Sequence, residues 1–221
     1  MKNIFKRVLI AASAVLTMTA CIYEVIPQGG SQTQAQVSAS ESALKAMIKA
    51  FNPAMFCSGA GGYASSYGDH TDFGYPAVAL RLEHMLEDIA TMADNPYYNR
   101  FYAYDMNMAQ SSEYTYCAYF WDYYYKLIRL ANDVIASMKP AVESGNSADA
   151  EVKELAHILG QAYAYRAWFY LDLARMFEPK LNNYTDVRNV LHRTVPIVDE
   201  NTTIDQTKNN PRVLREEIYK F

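Results

Sequence analysis

The stretch EVKELAHILGQAYAYRAWFYLDLARMF, residues 151–177, decides the fold. Apolar or aromatic residues recur in it at Val152, Leu155, Leu159, Ala162, Phe169, Leu173 and Phe177. Steps of three and four place them on one face of a helix. Arg166 is the only charge inside that stripe. Tyr165, Trp168 and Leu171 mark a second face, so the helix is apolar over more than half its circumference. Such a helix is expected to be packed by neighbours on two sides. Glu178-Pro179 closes it, because proline supplies no amide to continue the ladder.

Moving outward, residues 113–138 form a second long helical pattern. Cys117, Phe120, Trp121, Tyr124, Ile128, Ala131, Ile135 and Met138 are its stripe, and Lys139-Pro140 is expected to stop it. Residues 41–51 read as a shorter helix with Leu44, Met47, Ile48 and Phe51 on one face, interrupted at Asn52-Pro53. Residues 77–92 read as another, with Leu82, Met85, Leu86 and Ile89 as its apolar set. Between these two lies SGAGGYASSYGDHTDFG, residues 58–74, a loop holding five of the nine glycines. Residues 97–108 are aromatic and partly irregular. Downstream, TVPIV at residues 194–198 is a short extended run, and residues 200–210 read as a loop. Pro211 is placed to open a last helix, with Leu214 and Ile218 on one face. That pattern reaches Phe221 without a C-cap, so a domain continuing further is expected. No segment alternates convincingly as a sheet, and the expected class is all-α. Helical hairpins of the tetratricopeptide kind, with long aromatic-rich loops, are the expected architecture. Leu159-Gly160-x-x-Tyr163 matches the first half of that repeat's signature.

The N-terminus reads as an export signal over residues 1–20. Lys2, Lys6 and Arg7 precede a short apolar core, too short to span a bilayer. Met18-Thr19-Ala20-Cys21 resembles a bacterial lipobox, which makes Cys21 the expected lipidation site and the lipid a membrane anchor. Residues 21–40, rich in Gln, Ser, Gly and Ala, follow as a flexible tether, and residues 41–221 as the helical domain. Removal of residues 1–20 leaves 17 Lys+Arg against 24 Asp+Glu, a net of −7. That balance argues against nucleic acid. Cys57 and Cys117 remain, either as one disulfide or as two thiols. Of 19 tyrosines, 13 fall between Tyr63 and Tyr125.

The run GQAYAYRAWFYLDLARMFE, residues 160–178, resembles the hallmark helix of the SusD/RagB family of Bacteroidetes outer-membrane lipoproteins. Ala162, Arg166, Ala167, Tyr170, Asp172, Leu173 and Arg175 match its pattern. Val195-Pro196-Ile197-Val198 stands where the family carries a V-P-L-V motif. Tyr124, Tyr125, Ile128, Ala131, Asn132 and Ile135 resemble the family's other recurring helix, and Pro211-Arg212 with Glu217-Ile218-Tyr219 its next helix entry. Gln161, Ala164 and Glu178 depart from the pattern, and residues 178–194 stand where the family has a short turn. Members of that family are longer, so the resemblance implies that a C-terminal half is missing.

The resemblance implies a surface lipoprotein that binds oligosaccharides and delivers them to a SusC-type TonB-dependent transporter. It implies no catalysis. The residues agree: His70, His84, His157 and His192 are scattered, and no metalloprotease, nucleophile-elbow or phosphate-loop motif is present. No cofactor, metal site or catalytic residue is expected. Asp69, His70 and Asp72 could hold a cation, but an exposed polar loop is the plainer reading. Sugars need flat aromatic faces for their C–H side and polar groups for their hydroxyls. The two aromatic loops offer both, and Tyr63, Tyr67, Asp69, Asp72, Tyr97, Tyr98 and Arg100 are the candidate ligand residues. Trp121, Trp168, Tyr124, Tyr163 and Tyr170 are assigned to helix packing. Arg166 and Arg175 are read as structural, with Asp122, Asp133 and Asp172 as partners at hand. A lid serving peptide uptake, a lipid-anchored helical-repeat scaffold without a nutrient ligand, and a lipoprotein hydrolase are the competing readings.

Overall fold

The computed structural model describes residues 40–56, 73–85, 89, 115–181, 183 and 188–221. Most of these are helical and none forms a strand. In order they make α1 (Glu41–Met47), a 3-10 turn (Ile48–Ala50), α2 (Phe51–Phe56), α3 (Tyr75–Glu83), α4 (Thr115–Ser144), α5 (Ala150–Phe177), α6 (Ile204–Lys208) and α7 (Arg215–Lys220).

The centre is an antiparallel hairpin of α4 and α5. Trp121 meets Phe177, Tyr125 meets Tyr170, and Asn132 meets Arg166, so early α4 faces late α5. Asp149 caps α5 by accepting the Glu151 amide at 3.1 Å. The expected stripe of α5 is buried from Leu155 through Phe177, with Val152 half-buried at its edge. α4 buries more than its expected stripe: Tyr119, Tyr123, Leu127 and Val134 join it. Phe51 and Met55 of α2, Leu44 of α1 and Val78 of α3 complete the same core. Phe51 stacks on Tyr165 of α5 at 4.3 Å between centroids. The short helices therefore supply the second set of neighbours that α5 requires.

Proline is less disruptive here than its chemistry suggests. α4 does not stop at Lys139-Pro140 but runs through Pro140 to Ser144. Pro140 is exposed, the next turn is held by Ala141 and Val142 against the core, and Ser144 Oγ donates to the Pro140 carbonyl at 2.7 Å. Pro53 likewise lies inside α2, and the irregularity comes earlier, at the 3-10 turn. Falling in the first turn of α2, Pro53 needs no intrahelical amide partner. In α3 the buried face is Ala77, Val78 and Arg81, with His84 following, while Leu82 and Met85 are half-buried. Residues 200–210 are not all loop. Thr203 and Gln206 form a capping box that starts α6, with Gln206 Oε1 accepting the Thr203 amide at 2.8 Å.

The last helix begins at Arg215 rather than Pro211, because residues 212–214 are engaged in backbone pairing. The Thr194 amide donates to Val213 and the Arg215 amide to His192, both at 2.8 Å, flanking an antiparallel bridge between Arg193 and Leu214, and the Val213 amide donates to Val195 at 3.3 Å beyond it. Residues 194–199 then run as an extended strap over the hairpin, held by side chains. Tyr170 Oη donates to the Val198 carbonyl at 2.9 Å and accepts from its amide at 2.7 Å. Burial pushes the Tyr170 phenol up to about 12, so it remains a donor. Tyr125 Oη donates to the Pro196 carbonyl at 2.6 Å, and Asn132 Nδ2 to Val198 at 2.9 Å. Arg212 Nη1 donates to the carbonyls of Phe177 and Thr194 at 3.0 and 3.1 Å. Glu178, buried at the end of α5, accepts two hydrogen bonds from Arg215.

Arg166 is buried and paired, though not with Asp122, Asp133 or Asp172. Its Nη1 donates to Glu200 Oε2 at 2.8 Å and to Asn132 Oδ1 at 2.9 Å. The Phe221 ring lies 4.3 Å from its guanidinium carbon. Asp172 is engaged elsewhere, and Arg175 is exposed rather than part of the core. Lys139 reaches the other Glu200 oxygen at 3.1 Å. Burial works against the charged form of Glu200, but these hydrogen bonds outweigh it and hold its carboxyl below the usual range.

Arg166→Ala leaves Glu200 with Lys139 alone and Asn132 Oδ1 without its donor, and is expected to cost about 2–3 kcal/mol, read from urea unfolding; a wild-type midpoint would contradict that. A carboxylate with a depressed folded pKa contributes stability above its unfolded pKa and loses it as pH falls through the folded value. Stability is therefore expected to decline below about pH 4.3, the ordinary glutamate value, and more shallowly in Glu200→Gln. Thermal melts taken from neutral pH into acid compare the two slopes.

Candidate functional site

Tyr63, Tyr67, Asp69, Asp72, Tyr97, Tyr98 and Arg100 lie outside the described residues, as do Cys21, Cys57 and His70. The frame that carries the first of their loops is described. It enters from Met55 and Phe56 at the end of α2 and returns at Phe73 and Gly74 before α3. The two ends touch. A Cβ on Gly74 would stand 2.1 Å from the Met55 carbonyl oxygen. Gly74 also has φ 78° and ψ −143°, a region open essentially to glycine alone. Tyr123, fully buried in α4, donates from its hydroxyl to the carbonyls of Ala54 at 3.1 Å and Met55 at 3.4 Å. The Gly74 carbonyl accepts the Ala77 amide at 3.0 Å and so opens α3. The loop stem is thus bonded into the core.

Tyr75, the first residue of α3, carries that stem onto α5. Its hydroxyl donates to Asp172 Oδ2 at 3.1 Å, and the Tyr124 hydroxyl donates to the same oxygen at 3.1 Å. Burial, then the Asp172 charge, raises both phenols above their ordinary value, so both stay protonated donors. No described residue donates to Asp172 Oδ1. One turn before Asp172, on the same helix face, stands Trp168. Its ring meets Tyr75 edge-on, with 4.9 Å between centroids and 67° between planes. Tyr165, one turn further back, lies 16° from the Trp168 plane and is half-buried.

These residues make a ledge: the Trp168 and Tyr75 rings beside a carboxylate with one oxygen uncommitted among the described residues. Chemically it offers an apolar face for C–H groups and an acceptor for hydroxyls. The sequence assigns Trp168 to packing, yet the residue is 39% exposed. The signal was available in the i, i+4 pairing of Trp168 with Asp172, off the buried stripe. Tyr124 and Tyr170 are buried as assigned, and Trp121 and Tyr163 are half-buried against the core. His84 is buried with Nδ1 2.6 Å from the Leu80 carbonyl, while His157 and His192 are exposed. Among the described residues no three His, Cys, Asp or Glu groups gather as a metal site, and no helix is long and apolar enough to cross a membrane.

Gly74→Ala combines a forbidden backbone region with a backbone clash. It is expected to destabilise the fold by at least about 2 kcal/mol, checked by the denaturant midpoint.

A family model described as "Starch-binding associating with outer membrane" matches residues 76–218, more than half of the chain. No curated protein and no solved structure matches it.

Proposed function

Because this chain belongs to the SusD-like family, we propose that it is a glycan-binding lipoprotein of the outer membrane that takes up starch-like oligosaccharides and passes them to a SusC-type TonB-dependent transporter. The observation that carries this reading is the family match over residues 76–218, a span that includes the hallmark helix and the strap it binds. Lipidation at Cys21 would hold the protein at the membrane, with residues 21–40 as the tether. Tyr63, Tyr67, Asp69 and Asp72 on one loop, and Tyr97, Tyr98 and Arg100 on the other, are the proposed ligand residues. The clamped stem at Met55 and Gly74 supports that role for the first loop, since binding residues are commonly carried on loops that spring from a rigid scaffold. Catalysis has no part in this reading, because the family is one of binding proteins.

Affinity electrophoresis through starch-containing gels tests the ligand, and a mild-detergent pull-down of the lipidated protein tests the partner. Retardation in starch and a co-purifying TonB-dependent transporter are the expected results. Retardation is expected to weaken in Tyr63→Ala/Tyr67→Ala with unchanged melting. A peptide that displaces glycan from the same surface would redirect the reading to peptide uptake. Absence of both ligand and transporter would overturn it.

A further inference from the structure

We propose that Trp168, Tyr75 and Asp172 form a saccharide-stacking subsite on α5, at the stem of the 58–74 loop; the inference rests on the glycan-binding reading above. A tryptophan is rarely buried whole, so partial exposure alone assigns no role; what sets Trp168 apart is the oriented carboxylate one turn away. Trp168 is 39% exposed, although Phe169 beside it is fully buried. Tyr75, Tyr165 and Phe169 hold the indole at 4.9, 6.4 and 5.9 Å between ring centroids and leave part of it exposed. Asp172, one helical turn on, sits about 5–6 Å away at the Cβ level, a span suited to one sugar ring. Oδ2 of that carboxylate is held by the Tyr75 and Tyr124 hydroxyls, both at 3.1 Å. The group is therefore oriented before any ligand arrives, and Oδ1, which has no donor among the described residues, is the oxygen to accept a sugar hydroxyl.

A sugar suits this ledge better than an extended peptide. Peptides that bind by backbone pairing need an open edge. The ledge offers none, because Trp168 and Asp172 belong to α5 and Tyr75 opens α3, helices whose backbone groups are bonded internally. The ledge supplies an apolar face and a hydroxyl acceptor, which is the complement of a pyranose with one C–H side and an equatorial rim. Its position follows from Gly74, because Tyr75 is the next residue after the crossing that closes the loop.

Isothermal titration of the full folded chain with maltoheptaose is the test. Trp168→Ala is expected to weaken binding about tenfold with an unchanged melting temperature. Wild-type affinity in Trp168→Ala overturns the subsite and leaves the glycan-binding function standing. Failure of the wild type to bind any member of a glucan, mannan and xylan panel overturns both. If the alanine variant melts early, Trp121→Phe leaves Trp168 as the remaining one of two tryptophans. Saturating maltoheptaose should then shield it from acrylamide quenching, and unchanged quenching overturns the subsite.

Discussion

Arg166 is a full charge placed inside a helix that is packed on both sides, and it cannot stay there alone. Desolvating a guanidinium is affordable only when its donors are met. Glu200 and Asn132 meet them, the first from 34 residues downstream and the second from 34 residues upstream. The arginine therefore obliges the chain to return across the α4–α5 hairpin. The return is fixed again by Tyr170, whose hydroxyl serves both backbone groups of Val198. What look like separate signatures in the sequence, the hallmark helix and the V-P-I-V run, are two sides of one contact. Either would leave buried polar groups unmet without the other.

The same economy links core to surface. Tyr123, Tyr124 and Tyr125 are consecutive on α4, and their hydroxyls go three ways: to the loop stem, to Asp172 and to the strap. Each ring is apolar packing, and each hydroxyl ties a non-helical segment down. The abundance of tyrosine thus has a structural component within α4 that is distinct from any ligand role. The missing Cβ of Gly74 is what lets the stem close so tightly on Met55.

The hairpin was legible in the sequence because burial repeats every three or four residues over seven turns of α5. The boundaries set by proline were read too strictly. Pro140 lacks its amide bond but stands in the last turns of α4 with an exposed ring, where the helix tolerates the gap, and Pro53 sits in a first turn, where no such bond is required. Thr203 and Gln206 carried a readable cap signal that a polar composition concealed. The partners of Arg166 were not legible, because no local pattern encodes a contact 34 residues away. Trp168 packs against Tyr75, Tyr165 and Phe169 as assigned, and what the pattern does not show is its 39% exposure. Periodicity separates faces of a helix but does not say how far a neighbour covers each one. The proposed ligand residues lie outside the described residues, and neither the stem at Met55 and Gly74 nor the joining of Tyr75 to the ledge on α5 carries a local sequence signal.

One departure from the family pattern, the long stretch between the hallmark helix and Val195, finds its explanation in Arg212. A single guanidinium nitrogen bridges the carbonyls of Phe177 and Thr194, where that stretch leaves and rejoins the fold. Glu178 and Arg215 secure the departure point a second time. With both ends fixed, extra residues enlarge only a closed excursion, and doubling its length costs about 0.6 kcal/mol in closure entropy. Length in this segment is accordingly decoupled from the register of strap on hairpin, which the two clamped ends set.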